Sequence, residues 1–164
     1  MKIISTSSLG NFIYEKNEKK ILELVRPKWF SKKVIVKYDN TDIKIEPKNY
    51  WGTRYIILKD GSEKGSIVID WKNNITITFI DKNKITQIFK MTKKGFWKQR
   101  FEFSDSEGKI VIVLVPLMTW KSWTNDLAIE SSPIYADKKY FDELVIYCGF
   151  TVRLVQQRAA SSAV

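Results

Sequence analysis

Two short stretches of the chain set adjacent aromatic rings among lysines: Lys28-Trp29-Phe30-Ser31-Lys32-Lys33 and Lys93-Lys94-Gly95-Phe96-Trp97-Lys98. Each lies in a window without a carboxylate. Arg26 to Tyr38 holds five cations, and Lys82 to Phe101 holds seven. Cations beside paired rings suit an anionic membrane surface, which attracts each cation by about 1 kcal/mol while Trp and Phe settle among the headgroups. Single-stranded nucleic acid would use the same cations on phosphates and the same rings as stacking platforms. The chain has no RNP-like string, GxxG loop or helix-turn-helix pattern, which favours lipid over nucleic acid. A third reading places the rings half in the core, with the lysines only solvating strand ends. The candidate set is Lys28, Lys32, Lys33, Lys93, Lys94, Lys98 and Arg100 for charge, with Trp29, Phe96 and Trp97 for insertion or stacking. Tyr50-Trp51-Gly52-Thr53-Arg54 and Trp120-Lys121-Ser122-Trp123 add further aromatic corners, on the rim if the fold gathers them and in the core if it scatters them.

Other chemistry is scarce. There is no histidine, which removes Ser-His-Asp and Cys-His catalysis and imidazole metal sites. Cys148 is the single cysteine, so neither an internal disulfide nor a thiolate zinc site can form. It sits in the apolar run 144–150 and reads as a small buried hydrophobe. GxxxxGK[ST], GxGxxG, GxSxG and the EF-hand pattern are all missing. Asp105/Glu107 reads as turn chemistry, Asp142/Glu143 as a helix start, and Asp70 beside Trp71 as a strand end whose pKa merits inspection. No catalytic residue, cofactor or metal is expected, and no enzymatic activity.

The 28 basic and 18 acidic residues leave a net charge of +10 on 164 residues. The excess is uneven: +6 over 1–60, +4 over 61–109 and zero over 110–164. A lysine- and isoleucine-rich composition also arises from an AT-rich genome, so the charge acquires meaning only through its location.

The elements that must position these residues are mostly strands. Val34–Tyr38, Asp42–Glu46, Tyr55–Leu58, Ser66–Asp70, Ile75–Ile80, Ile85–Lys90, Gln99–Phe103 and Lys109–Val115 are separated by turn residues such as Asp60-Gly61. Alternation buries one face, as with Ile75, Ile77 and Phe79, while the unbroken apolar run from Ile110 to Leu117 predicts cover on both faces. This pattern predicts a meandering antiparallel sheet, closed into a barrel or folded as a sandwich. The segment Asn11–Arg26 fits a hairpin or a short helix. A helix is predicted from about Lys138 to Gln157, capped by Asp137, apolar on every side from Phe141 to Val155 and therefore enclosed by protein or lipid. Gly149 inside it costs about 1 kcal/mol against alanine unless something packs close. The tail 159–164 is small and uncharged and is expected to be flexible; residues 1–158 form one domain.

Many short strands followed by one all-apolar helix resembles the tubby-like superfamily, which includes tubby C-terminal domains, LURP-one-related proteins and phospholipid scramblases. The residues that carry the likeness are 99–114, similar to the family's late strand–turn–strand, and Leu144–Val155, similar to its core helix. Gly61 and Gly65 around Ser-Glu-Lys look like its D-x-x-G strand turns. The resemblance implies a closed barrel of about twelve antiparallel strands around a hydrophobic C-terminal helix. It also implies binding to anionic lipid headgroups without catalysis, and no stretch matches a family binding motif residue by residue.

The expectation is therefore a non-enzymatic module for anionic surfaces, most of all anionic lipid headgroups. A protein-interaction or structural module comes second, and a barrel holding a small hydrophobic ligand third. No run reaches the roughly 18 apolar residues of a spanning helix, and no secretory signal is legible at the N-terminus. The expected location is the cytoplasm, with peripheral contact to a membrane.

Overall fold

The computed structural model describes residues 1–28, 32–72, 74–95, 99–117 and 126–161. Twelve strands come first: β1 (Lys2–Ser5), β2 (Phe12–Lys16), β3 (Lys19–Val25), β4 (Val34–Tyr38), β5 (Thr41–Pro47), β6 (Arg54–Lys59), β7 (Ser62–Ile69), β8 (Ile75–Ile80), β9 (Thr86–Lys94), β10 (Arg100–Ser104), β11 (Ile110–Pro116) and β12 (Leu127–Glu130). The helices α1 (Pro133–Ala136) and α2 (Phe141–Ser161) follow. Each strand pairs antiparallel with its sequence neighbour, and β1 closes on β12 through Lys2↔Ala128 and Ile3↔Leu127. Closure makes a barrel rather than a sandwich.

Strict alternation sorts the connections into two ends. One is closed by tight turns in which Asn17-Glu18, Asp39-Asn40 and Asp60-Gly61 all take positive φ, the geometry that matches the twist of a two-residue hairpin. At that same end Asp81 Oδ1 accepts from the Asn83 and Ile85 amides, and Asp105 Oδ1 from those of Glu107 and Lys109. The other end is where β1, β3, β5, β7, β9 and β11 finish and the strands after them begin. The segment 11–26 is a hairpin, because Asn17 and Glu18 fold β3 back onto β2.

α2 enters at the tight-turn end and fills the interior. All residues from Phe141 to Arg153 except Asp142 are buried, and their partners lie all around the wall. Tyr147 packs on Phe79 of β8 with ring centroids 4.9 Å apart, and Phe150 meets Tyr55 of β6 edge-on at 5.2 Å. On the β1–β2 side, a Cβ on Gly149 would lie 2.7 Å from Phe12 Cζ and 2.9 Å from Ile3 Cδ1. The glycine thus lets the helix approach that wall. In β11, Val111 to Leu114 are all buried, so the apolar run is covered on both faces in its middle, while Ile110 and Leu117 at its ends are exposed.

Three expectations about the C-terminus change. The helix begins at Phe141 rather than near Lys138, and Asp137 is the C-cap of α1 instead of the N-cap of α2. Pro133 is set for a first helical turn, which ends before Lys138–Tyr140 turn the chain into the barrel. The helix also continues through residues 159–161 of the tail, where alanines favour it and Ser161 Oγ donates to Gln157 O at 2.7 Å.

Cys148 has no exposed surface, and burial pushes its thiol well up. In the native protein it is expected to react with Ellman's reagent only as fast as the barrel unfolds. Rapid stoichiometric labelling without unfolding would contradict an enclosed helix.

Candidate functional site

The alternation of strand directions brings the described residues of the basic and aromatic segments to the end where α2 emerges. Lys28 and Lys32 flank the β3–β4 connection there, Lys93 and Lys94 end β9, and Arg100 begins β10. The corner at residues 50–54 and the Asp70-Trp71 turn are at the same end. Trp29, Phe96, Trp97, Lys98, Trp120 and Trp123 lie outside the described residues.

Local hydrogen bonds explain why rings project outward. Asn49 Oδ1 accepts from the amides of Thr53 at 3.0 Å and Arg54 at 3.3 Å, and its Nδ2 donates to Thr53 Oγ1 at 2.7 Å. With Gly52 at φ +64°, this turn leaves Tyr50 and Trp51 at its tip, 91% and 79% exposed. Asp70 does the same for its turn, accepting from the Lys72 and Asn74 amides and from Asn74 Nδ2, each at 2.8 Å. These bonds, foremost the one from the Asn74 side chain, hold the Asp70 carboxyl below its ordinary range, so its unusual pKa is that of a strand-end cap. Trp71 beside it is 87% exposed, with Lys72 Nζ 4.7 Å from its ring centroid.

The candidate cations differ in how they are held. Lys33 pairs with Glu46 at 3.1 Å. Lys94 and Arg100 are cross-strand neighbours that share Glu102, at 3.0 and 3.2 Å, so that this cluster carries a single net positive charge. Among the described residues, Lys32 and Lys93 ion-pair with no carboxylate. They present their full charge to whatever approaches.

Two cations not in the sequence-derived set also belong to this end. Arg26 and Arg158 border a cleft of about 570 Å³ with Lys32, walled by Trp51, Tyr55 and Phe150. Arg26 was visible as part of the first acid-free window, whereas Arg158 sits 132 residues later and is brought there only because the helix runs the length of the barrel. Arg153, one turn earlier, is 4% exposed with Nε and Nη2 unpaired, and burial pushes its pKa down to about 10.

The opposite end holds a second charged group that sequence reading took only as a helix start. Glu143, 3% exposed, pairs with Lys59 and accepts from Tyr147 Oη at 2.6 Å. Lys59 Nζ also donates to Ile80 O at 2.5 Å and stands 5.6 Å from the Phe79 ring centroid. Asp142 accepts from Tyr14 Oη at 2.9 Å and faces Lys16 at 3.8 Å. Burial, and after it Asp142 and Glu143, pushes Tyr38 up to about 12. Every one of these groups is spent on another protein group, and two carboxylates in the first turn suit the helix dipole. The cluster anchors α2. Among the described residues, no group of three or more Cys, Asp or Glu could hold a metal ion, and no helix is long and apolar enough to cross a membrane.

Fold and site together define a closed antiparallel barrel, filled by its C-terminal helix, with a basic and aromatic end. Among known proteins, no family model, no curated sequence and no solved structure matches the chain.

Proposed function

We propose that the chain is a non-enzymatic, tubby-like binding module whose helix-exit end docks on anionic lipid headgroups. The observation that carries this reading is the gathering of Arg26, Lys28, Lys32, Lys93, Lys94 and Arg100 with the exposed Tyr50, Trp51 and Trp71 at one end of a twelve-stranded barrel. Exposed indoles surrounded by lysines fit an interface with a polar, negative layer above hydrocarbon. The order of strands and core helix supports the tubby-like assignment. A barrel holding a small apolar ligand would need an open interior, and α2 occupies it.

Vesicle co-sedimentation tests the reading. Binding is expected to anionic but not to neutral phosphatidylcholine vesicles and to weaken as salt rises, since exposed charges are screened over about 8–10 Å. Lys93→Glu reverses a cation that makes no ion pair among the described residues and should weaken binding about tenfold or more, at about 1 kcal/mol for each unit of charge. Trp51→Ala with Trp71→Ala should weaken it without altering the salt dependence. Failure to sediment with anionic vesicles at low salt would overturn the reading and leave a protein partner as the occupant of this surface.

A further inference from the structure

The cleft at the mouth of the barrel is more specific than a charged rim requires. Among the described residues no carboxylate lines it, while Arg26, Lys32 and Arg158 do, above an apolar wall of Trp51, Tyr55 and Phe150. The polar atoms converge on one point. The position that a Cβ would take on Gly52 lies 3.1 Å from Tyr55 Oη, 3.4 Å from Lys32 Nζ and 3.8 Å from Arg158 Nη2. Glycine at 52 keeps that point open.

The surroundings hold the cations in place. Arg158 Nη2 donates to Gly52 O, which ties the end of α2 to the β5–β6 connection. Arg26 donates through Nη2 to Gln157 Oε1 at 3.4 Å, and Gln157 Nε2 donates in turn to Leu9 O at 3.0 Å. The Arg26 amide donates to Asn11 Oδ1 at 2.9 Å. Burial lowers the pKa of Arg26, so a negative guest would relieve a charge that the fold has partly taken out of water. The same burial raises Tyr55, which keeps its phenol a neutral hydrogen-bond donor at pH 7.

We propose that this cleft is a site for one phosphate monoester, its phosphate between Arg26, Lys32 and Arg158 and its organic part against Trp51, Tyr55 and Phe150. Three cations suit a dianion better than a carboxylate, and planar guanidinium groups match the spacing of phosphate oxygens. A volume of about 570 Å³ exceeds one phosphate and leaves room for the group it esterifies. The inference deepens the lipid-surface reading and rests on it only for the source of the ester, a lipid headgroup or a soluble compound.

Titration calorimetry with glycerol 3-phosphate, inorganic phosphate and neutral glycerol tests the site directly. Both phosphates should bind with a Kd of about 1 mM or tighter and glycerol should not. Lys32→Ala, at an exposed position without an ion pair among the described residues, should weaken the phosphates about tenfold with an unchanged circular dichroism spectrum. Lys84→Glu, an equal charge reversal in the exposed turn after β8 at the opposite end of the barrel, should leave them unchanged, and loss of soluble phosphate binding while anionic vesicles still sediment separates this site from the broader surface. Vesicles carrying phosphatidate, a monoester, are compared with vesicles of equal charge carrying phosphatidylglycerol, a diester. A Lys32-dependent preference for phosphatidate assigns the ester to lipid, and equal binding of the two assigns it to a soluble phosphate. The proposal is overturned if neither glycerol 3-phosphate nor phosphatidate binds in a Lys32-dependent way.

Discussion

Removing the ammonium of Lys59 should cost the barrel about 3 kcal/mol, because Glu143 would then keep a buried negative charge without its cation, hydrogen-bonded to the Tyr147 hydroxyl. Lys59 comes from β6 and Glu143 from the first turn of α2, so their contact fixes the depth of the helix in the barrel. The attraction offsets much of the desolvation of both groups, and what remains is positional specificity. Lys59→Met keeps the apolar stem and should lower the urea midpoint strongly, whereas Lys59→Met combined with Glu143→Gln should recover most of the loss. The ordering of the three variants by chemical denaturation decides it. A single variant within 1 kcal/mol of the parent, or a double variant no better than the single, would show that the pair does not anchor the helix.

The second large effect concerns Gly65, in the interior of β7. Gly65 pairs with Ile57 on one side and Phe79 on the other, next to a register shift at Ile57/Leu58 that leaves Lys64 as the extra residue. A Cβ there would stand 2.2 Å from Thr78 O and 2.8 Å from Phe79 Cα. Both are backbone atoms, so no side-chain rotation can make room, and neighbouring strands would have to separate. Gly65→Ala should cost about 2–3 kcal/mol, as overpacking of a closed core does. For a chain of this length that lowers the thermal midpoint by roughly 5–10 °C. A midpoint within about 2 °C of the parent would show that the sheet yields at this point more readily than its close approach implies.

The different legibility of these residues has a physical basis. Strand periods, turn dipeptides and the apolar helix are local properties, so β4 and β8 coincide with their expected bounds residue for residue. β1 and β12 are four residues each and carry too little alternation to register, yet they close the barrel. The start of α2 was misplaced because Asp137 has the chemistry of an N-cap, and only the preceding Pro133–Ala136 turn makes it a C-cap. Gly149 was flagged as needing a close neighbour, and Phe12 and Ile3 are that neighbour. Lys59 gave no signal, since one lysine in a chain with 28 basic residues is not distinguishable until its partner across the barrel is known.

By itself the sequence determined the fold class, the presence of a helix that must be enclosed, the absence of imidazole and thiol-pair chemistry, and the two basic–aromatic segments. These follow from periodicity and composition, which need no knowledge of distant contacts. The tertiary structure decided where those segments meet. Antiparallel alternation places every second connection at one end, and a helix spanning the interior carries Arg158 to the same place as Arg26 and Lys32. It also decided which cations are already matched, with Lys33 held by Glu46 and both Lys94 and Arg100 by Glu102, because charge pairing depends on separation in space and not along the chain.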